Sequence, residues 1–195
     1  MTRTVPPFAL TLLALALAGC GHSPATTFLA LEPAPPAVVA VYRGPPVRVP
    51  FLHVPVVLDR PEFVRQVAGE VKVADFDRWA APLGLLARNT LIQDLQERLP
   101  AGAVLPPDAA AVVPDIRVEA TVLAFRVEGA EAVMEASYRI VRPAAGRTPA
   151  MPPRPRPVTL RAPLAAETPL AQAQAWSGLL GQLADRVAAD LAAGG

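Results

Sequence analysis

The chain has 195 residues, with 18 basic and 17 acidic side chains, two histidines and one cysteine. The near-neutral balance excludes the concentrated basic face that nucleic-acid binding requires, and a single cysteine excludes a disulfide framework or a thiolate metal site. His22 and His53 are too far apart in sequence to suggest zinc or haem, no other cofactor is indicated, and the length supports one domain with a real core.

Residues 1–19 read as a cleaved signal. Arg3 supplies the positive start, and Phe8 to Leu17 is an apolar run well short of the about 20 residues that span a bilayer as a helix. Leu17-Ala18-Gly19-Cys20 then places small residues before the cysteine, the pattern at which a lipoprotein signal is cut. Cys20 is therefore the expected lipidation site, carrying palmitate-type acyl chains that hold the protein at a membrane. The alternative is an uncleaved anchor with an ordinary buried thiol. Lipoproteins retained at the inner membrane commonly carry Asp after the cysteine. Gly21 points instead to the outer membrane, with the domain facing the periplasm. Loss of Arg3 leaves 17 basic against 17 acidic side chains.

Residues 20–46 are the lipidated cysteine and a proline-rich tether, in which Thr26 to Leu31 can form a short strand. The remainder should be extended, because proline fixes φ and removes backbone donors. The domain proper is assigned to residues 47–195. Val47 to Val54 is β-rich but interrupted by Pro50, so it should be an edge or irregular strand. Glu62 to Val67 and Glu70 to Val73 flank Ala68-Gly69 and resemble a hairpin. Leu83 to Leu99 is helical, with Leu85, Ile92, Leu95 and Leu99 as its apolar stripe and Gln93, Asp94, Gln96, Glu97 and Arg98 on the wet side. Pro100 and Gly102 stop it.

In Asp115 to Val127 the apolar phase runs Ile116, Val118, Ala120, Val122 and then switches to Leu123, Phe125, Val127, which predicts a bulge or cover on both faces. After a turn at Glu128-Gly129-Ala130, Glu131 to Val141 puts Ala132, Met134, Ala136, Tyr138 and Ile140 on one face. Pro143 to Pro157 should be a solvated loop. Its Arg147, Arg154 and Arg156 could touch anionic lipid, but three charges at about 1 kcal/mol each are few for strong attraction. Val158, Leu160 and Ala162 mark the last strand. Thr168-Pro169 opens a second helix striped by Trp176, Leu179, Leu180, Leu183, Val187 and Leu191. The predicted class is α+β: a small antiparallel or mixed sheet with two amphipathic helices packed on one face.

A family resemblance rests chiefly on motifs between Pro55 and Leu83. Phe28 to Leu31, Leu58-Asp59-Arg60-Pro61 and Arg78-Trp79-Ala80-Ala81-Pro82-Leu83 follow Cys20 in an order and spacing similar to the ABC-type transport auxiliary lipoproteins, the PqiC-like family. The family often has an aromatic where this chain has Val57, and an acid where it has Ala81. The resemblance implies a non-enzymatic subunit of an intermembrane lipid-transport system. Such a subunit works with an MCE-domain protein, docks the conduit at the outer membrane, and is compatible with a homo-oligomer. An envelope scaffold lipoprotein with an unrelated partner is the alternative. Asp59 before Arg-Pro can satisfy backbone donors in a turn. Arg60 can pair with Asp75 or Asp77, and Trp79 can plug the helix start. Direct partner contact is the other reading of all three. No nucleophile elbow or phosphate loop is present, so no catalytic residues are assigned.

Overall fold

The computed structural model describes residues 24–67, 70–109, 114–143 and 153–194. Cys20 and the signal, the Ala68-Gly69 turn, and most of the Pro143 to Pro157 loop with Arg147 lie outside the described residues. The fold is α+β, with the strands divided between two sheets. The three-stranded sheet has the order β1–β5–β4, from β1 (Thr27–Leu29), β4 (Glu62–Val67) and β5 (Glu70–Trp79). In the five-stranded sheet, β2 (Val47–Arg48) and β3 (Leu52–His53) both pair parallel with β6 (Ile116–Glu128). From β6 the sheet runs antiparallel through β7 (Glu131–Val141) to β8 (Arg156–Pro163). Pro50 sits between β2 and β3, where its missing donor interrupts no ladder bond.

The β6–β7 hairpin is the spine of the core. Its two-residue turn needs a left-handed conformation, and Gly129 supplies it at φ 59°. The phase switch expected in β6 is a bulge: Val122 pairs with Ala136 and Ala124 with Glu135, so Leu123 is the extra residue. It is exposed, while Val122 and Phe125 on either side are buried. The face of β7 from Ala132 to Ile140 is buried as its alternation predicts. The last strand starts earlier than the sequence suggested, at Arg156, which leaves the loop to pair with Asp190.

Helix α1 (Leu83–Arg98) packs on α2 (Pro169–Ala193), and α2 lies along β7 and β8. Thr168 Oγ1 accepts the Ala171 N–H at 3.2 Å, as its N-cap position predicts. Of the expected stripe of α1, Ile92, Leu95 and Leu99 are buried, but a second row is buried too. Leu83, Ala87, Leu91 and Leu95, spaced by four, are buried, whereas Leu85 is 41% exposed. Asp94 and Arg98, assigned to the wet side, are wholly buried. The reason is the N-terminal segment, which covers a second face of α1.

That segment is extended, as its prolines require, but it is not a free tether. Leu29, Leu31 and Tyr42 are buried in the core. The non-proline N–H groups from Glu32 to Ala37 are all satisfied by the helices: Glu32 by Ser177 Oγ at 3.1 Å, Ala34 by Asp94 at 2.8 Å, Ala37 by Asp185 at 3.3 Å. The ordered domain therefore includes residues assigned to the tether.

Candidate functional site

Three segments far apart in sequence meet at the three-stranded sheet. β1 pairs parallel with the end of β5, setting Phe28 beside Arg78 and Leu29 beside Trp79. The Trp79 N–H donates to the Pro61 carbonyl at 2.8 Å, and the Ala80 N–H to the Leu29 carbonyl at 2.9 Å. The Leu58–Pro61 turn is thus stitched to the Arg78–Leu83 segment and to the strand that follows Cys20.

The buried half of this junction is structural. Leu29, Leu58, Trp79 and Leu83 are in the core. Trp79 lies 5.2 Å from Phe63 and 5.5 Å from Trp176, ring centre to ring centre, and Trp176 is 3.5 Å from Phe125. These four aromatics join the two sheets to α2, and Trp79 is buried among them. Beside Trp176 the packing leaves an apolar void of about 10 Å³, room for roughly one water and no more.

The polar half caps and orients. Pro82 begins α1 without a side-chain cap, and the first turn carries no acid. Asp59 supplies the missing acceptor from another segment, taking the Gly84 N–H at 3.0 Å. A carboxylate there also faces the positive end of the helix dipole. Arg60 pairs with Glu62 at 2.9 Å, not with Asp75 or Asp77. Hydrogen bonding from its own backbone N–H, then from Arg60, holds the Glu62 carboxyl below the usual range. Outward from the same sheet stand Phe28 at 66% exposure and Phe76 at 43%, with Arg78 exposed beside Phe28. Two exposed aromatics beside a guanidinium group have the composition of a binding surface.

A second constellation was not legible in the sequence. Arg98 donates to Asp185 at 2.6 Å and to the carbonyls of Ala34, Pro35 and Asp94 at 3.1, 3.2 and 2.9 Å. It clasps the N-terminal segment to both helices. Burial pushes the Asp94 carboxyl up to about 6, although the Ala34 N–H and then Arg98 pull it down. The signal available in the sequence was position: Asp94 and Arg98 are one turn apart and adjoin the Leu91/Leu95 row. Among the described residues, no group of three or more His, Cys, Asp or Glu side chains is placed to hold a metal. None of the described helices is long and apolar enough to cross a membrane.

Residues 29–188 match the family model described as the ABC-type transport auxiliary lipoprotein component. Two crystal structures share the fold. One, of an uncharacterized protein, superposes with a TM-score of 0.61 at 18% identity, over 88% of this chain and 99% of that one. The other, of a protein from Xanthomonas campestris, gives 0.58 at 19% identity, over 84% and 93%. At these identities the likeness is one of fold. No curated protein matches the chain.

Proposed function

The chain belongs to the family of ABC-type transport auxiliary lipoprotein components, a cell-envelope family, and from that premise we propose that it is the non-enzymatic, outer-membrane-anchored subunit of an MCE-type lipid transporter. Cys20 carries the acyl chains, the folded domain faces the periplasm, and the domain docks the MCE conduit. The observation that carries this reading is the coincidence of the lipoprotein cleavage pattern at Cys20 with the family match beginning only nine residues later, at Leu29.

The docked N-terminal segment changes the geometry of the proposal. From Cys20 to Leu29 the chain can span at most about 30 Å, at about 3.3–3.6 Å per residue. The Phe28/Phe76/Arg78 surface would then stand close to the bilayer, where a conduit ending at that membrane would meet it. The Arg78–Leu83 motif presents Arg78 on this surface and buries Trp79 beneath it, and the Trp79 N–H ties the motif to Pro61 of the Leu58–Pro61 turn.

Two measurements test the reading. Mass spectrometry of the mature N-terminus should find an acylated Cys20; a start elsewhere, or a free thiol, removes the lipoprotein premise for this chain. Co-purification should recover the MCE protein encoded beside it, and Phe28→Ala should reduce that recovery by at least about tenfold, as an interface hot spot does. Recovery of an unrelated envelope protein, with no MCE partner, would favour the scaffold reading.

A further inference from the structure

Along one face of the five-stranded sheet, arginines are matched to glutamates. Arg126 pairs with Glu135 at 2.7 Å and with Glu128 at 2.6 Å. Arg161 pairs with Glu128 and Glu131, both at 3.0 Å, and Arg139 pairs with Glu119. At the β2 end the matching stops. Arg48 of β2 and Arg117 of β6 are direct neighbours in register on parallel strands, an arrangement of like charges that destabilises a sheet. Asp115 answers only Arg48, at 2.5 Å. Among the described residues, neither Arg117 nor Arg142 has a carboxylate within ion-pair distance. These residues line an open cleft of about 390 Å³ bounded by Pro114, Val141 and Pro143.

Arg48 is a built feature of that cleft. It is buried, and its Nη1 donates to the carbonyls of Pro106, Pro107 and Ala109 at 3.2, 3.2 and 2.7 Å. Among the described residues, its Nη2 has no hydrogen-bond partner. Arg117 is exposed, and Arg142 spends one donor on the Gly194 carbonyl at 3.0 Å. Among the described residues, three guanidinium groups face one carboxylate in this cleft.

We infer that this cleft binds a phosphate-type oxyanion, with Arg117 and Arg142 donating to it and Arg48 as a fixed charge in the wall. Two guanidinium forks can each donate two parallel N–H bonds, and a tetrahedral phosphate offers enough oxygens to accept from both. The cleft is large enough for a phosphate ester headgroup, while three apolar residues, Pro114, Val141 and Pro143, are too few to bury acyl chains. The phosphate could belong to a lipid headgroup or to a soluble molecule. The inference does not depend on the MCE assignment.

The experiment uses the full chain in a phosphate-free detergent at low salt, titrated by calorimetry with inorganic phosphate and, separately, with dihexanoyl phosphatidic acid. Both should bind, and Arg117→Gln and Arg142→Gln should each weaken binding by about tenfold or more, the scale of a lost charge-assisted bond. Arg139→Gln, whose charge Glu119 already answers, should leave binding unchanged. Tighter binding of the lipid identifies a headgroup site; equal binding identifies a site for free oxyanions. Absence of binding by both probes at about 10 mM, a free energy too small for a built site, overturns the inference. So does binding that neither the Arg117 nor the Arg142 variant weakens.

Discussion

Within α2, two glycines should respond in opposite ways to the same substitution. A Cβ at Gly178 meets nothing within 4 Å, whereas one at Gly181 would lie 2.6 Å from Ala34 Cβ and 3.2 Å from Arg98 Nη2. Gly178→Ala should stabilise by about 0.5–1 kcal/mol, the helix-propensity gain. At Gly181 the same gain opposes an overpacking cost of about 1–3 kcal/mol. Ala34 has no flexible tip to move aside, so the N-terminal segment must shift and the variant should be less stable. Thermal melts of the pair decide this; two equal shifts would mean that the segment does not sit against α2. Asp94 makes a pH prediction. Its carboxyl is raised by burial from the usual 3.8 to about 6, so the folded state holds its proton to higher pH than the unfolded chain. Its contribution to stability must then fall as pH rises from about 4 to about 6. Each unit is about 1.4 kcal/mol, so the change is on the order of 3 kcal/mol. Asp94→Asn keeps an oxygen for the Ala34 N–H. Urea unfolding at pH 4.5 and 7.5 should show this falling component in the parent but not in the variant, and identical pH profiles would refute the assignment.

Helix α1 shows what local pattern can and cannot reveal. Its existence and its end were legible from leucine spacing and from Pro100. How much of it is buried was legible only in part: Ile92, Leu95 and Leu99 of the expected stripe are in the core, but so is the Leu83, Ala87, Leu91 row, while Leu85 is exposed. The partner that buries the remaining face, the N-terminal segment, is about sixty residues away in sequence. The β6 bulge was legible because a bulge acts within one strand and shifts its alternation. The cap of α1 lies between these cases: Asp59 reads as a turn residue, but its acceptor role toward Gly84 is a tertiary fact. Asp59→Ala should cost about 0.5–2 kcal/mol, the usual value of an N-cap, and hydrogen exchange should quicken first at the α1 amino end. Faster exchange spread evenly over the domain would place the role of Asp59 elsewhere. The Arg48–Arg117 neighbours were illegible for the same reason, since only the parallel β2–β6 pairing brings them together.

For the whole molecule, the N-terminal boundary is the sharpest test. The sequence suggests a domain beginning at Val47, because the preceding residues are rich in proline and poor in periodicity. In the fold those residues do the work of a core element. Removing them would uncover the sites of Leu29, Leu31 and Tyr42, which are buried, at about 1.5–3 kcal/mol for each large apolar side chain. It would also take from Arg98 its bonds to the Ala34 and Pro35 carbonyls and from Asp94 its Ala34 donor. Breaking up a buried charged network of this kind typically costs about 3–5 kcal/mol. Together these losses are comparable to the about 5–15 kcal/mol by which a domain is stable at all. A chain starting at Val47 should therefore be unfolded or aggregated, whereas one starting at Ala25 should melt cooperatively near the temperature of the full-length protein. Circular dichroism melts of the two separate the alternatives. If the shorter chain folds with native stability, the segment is a dispensable tether after all, and the reach from the acyl chains to the folded domain lengthens by the residues released.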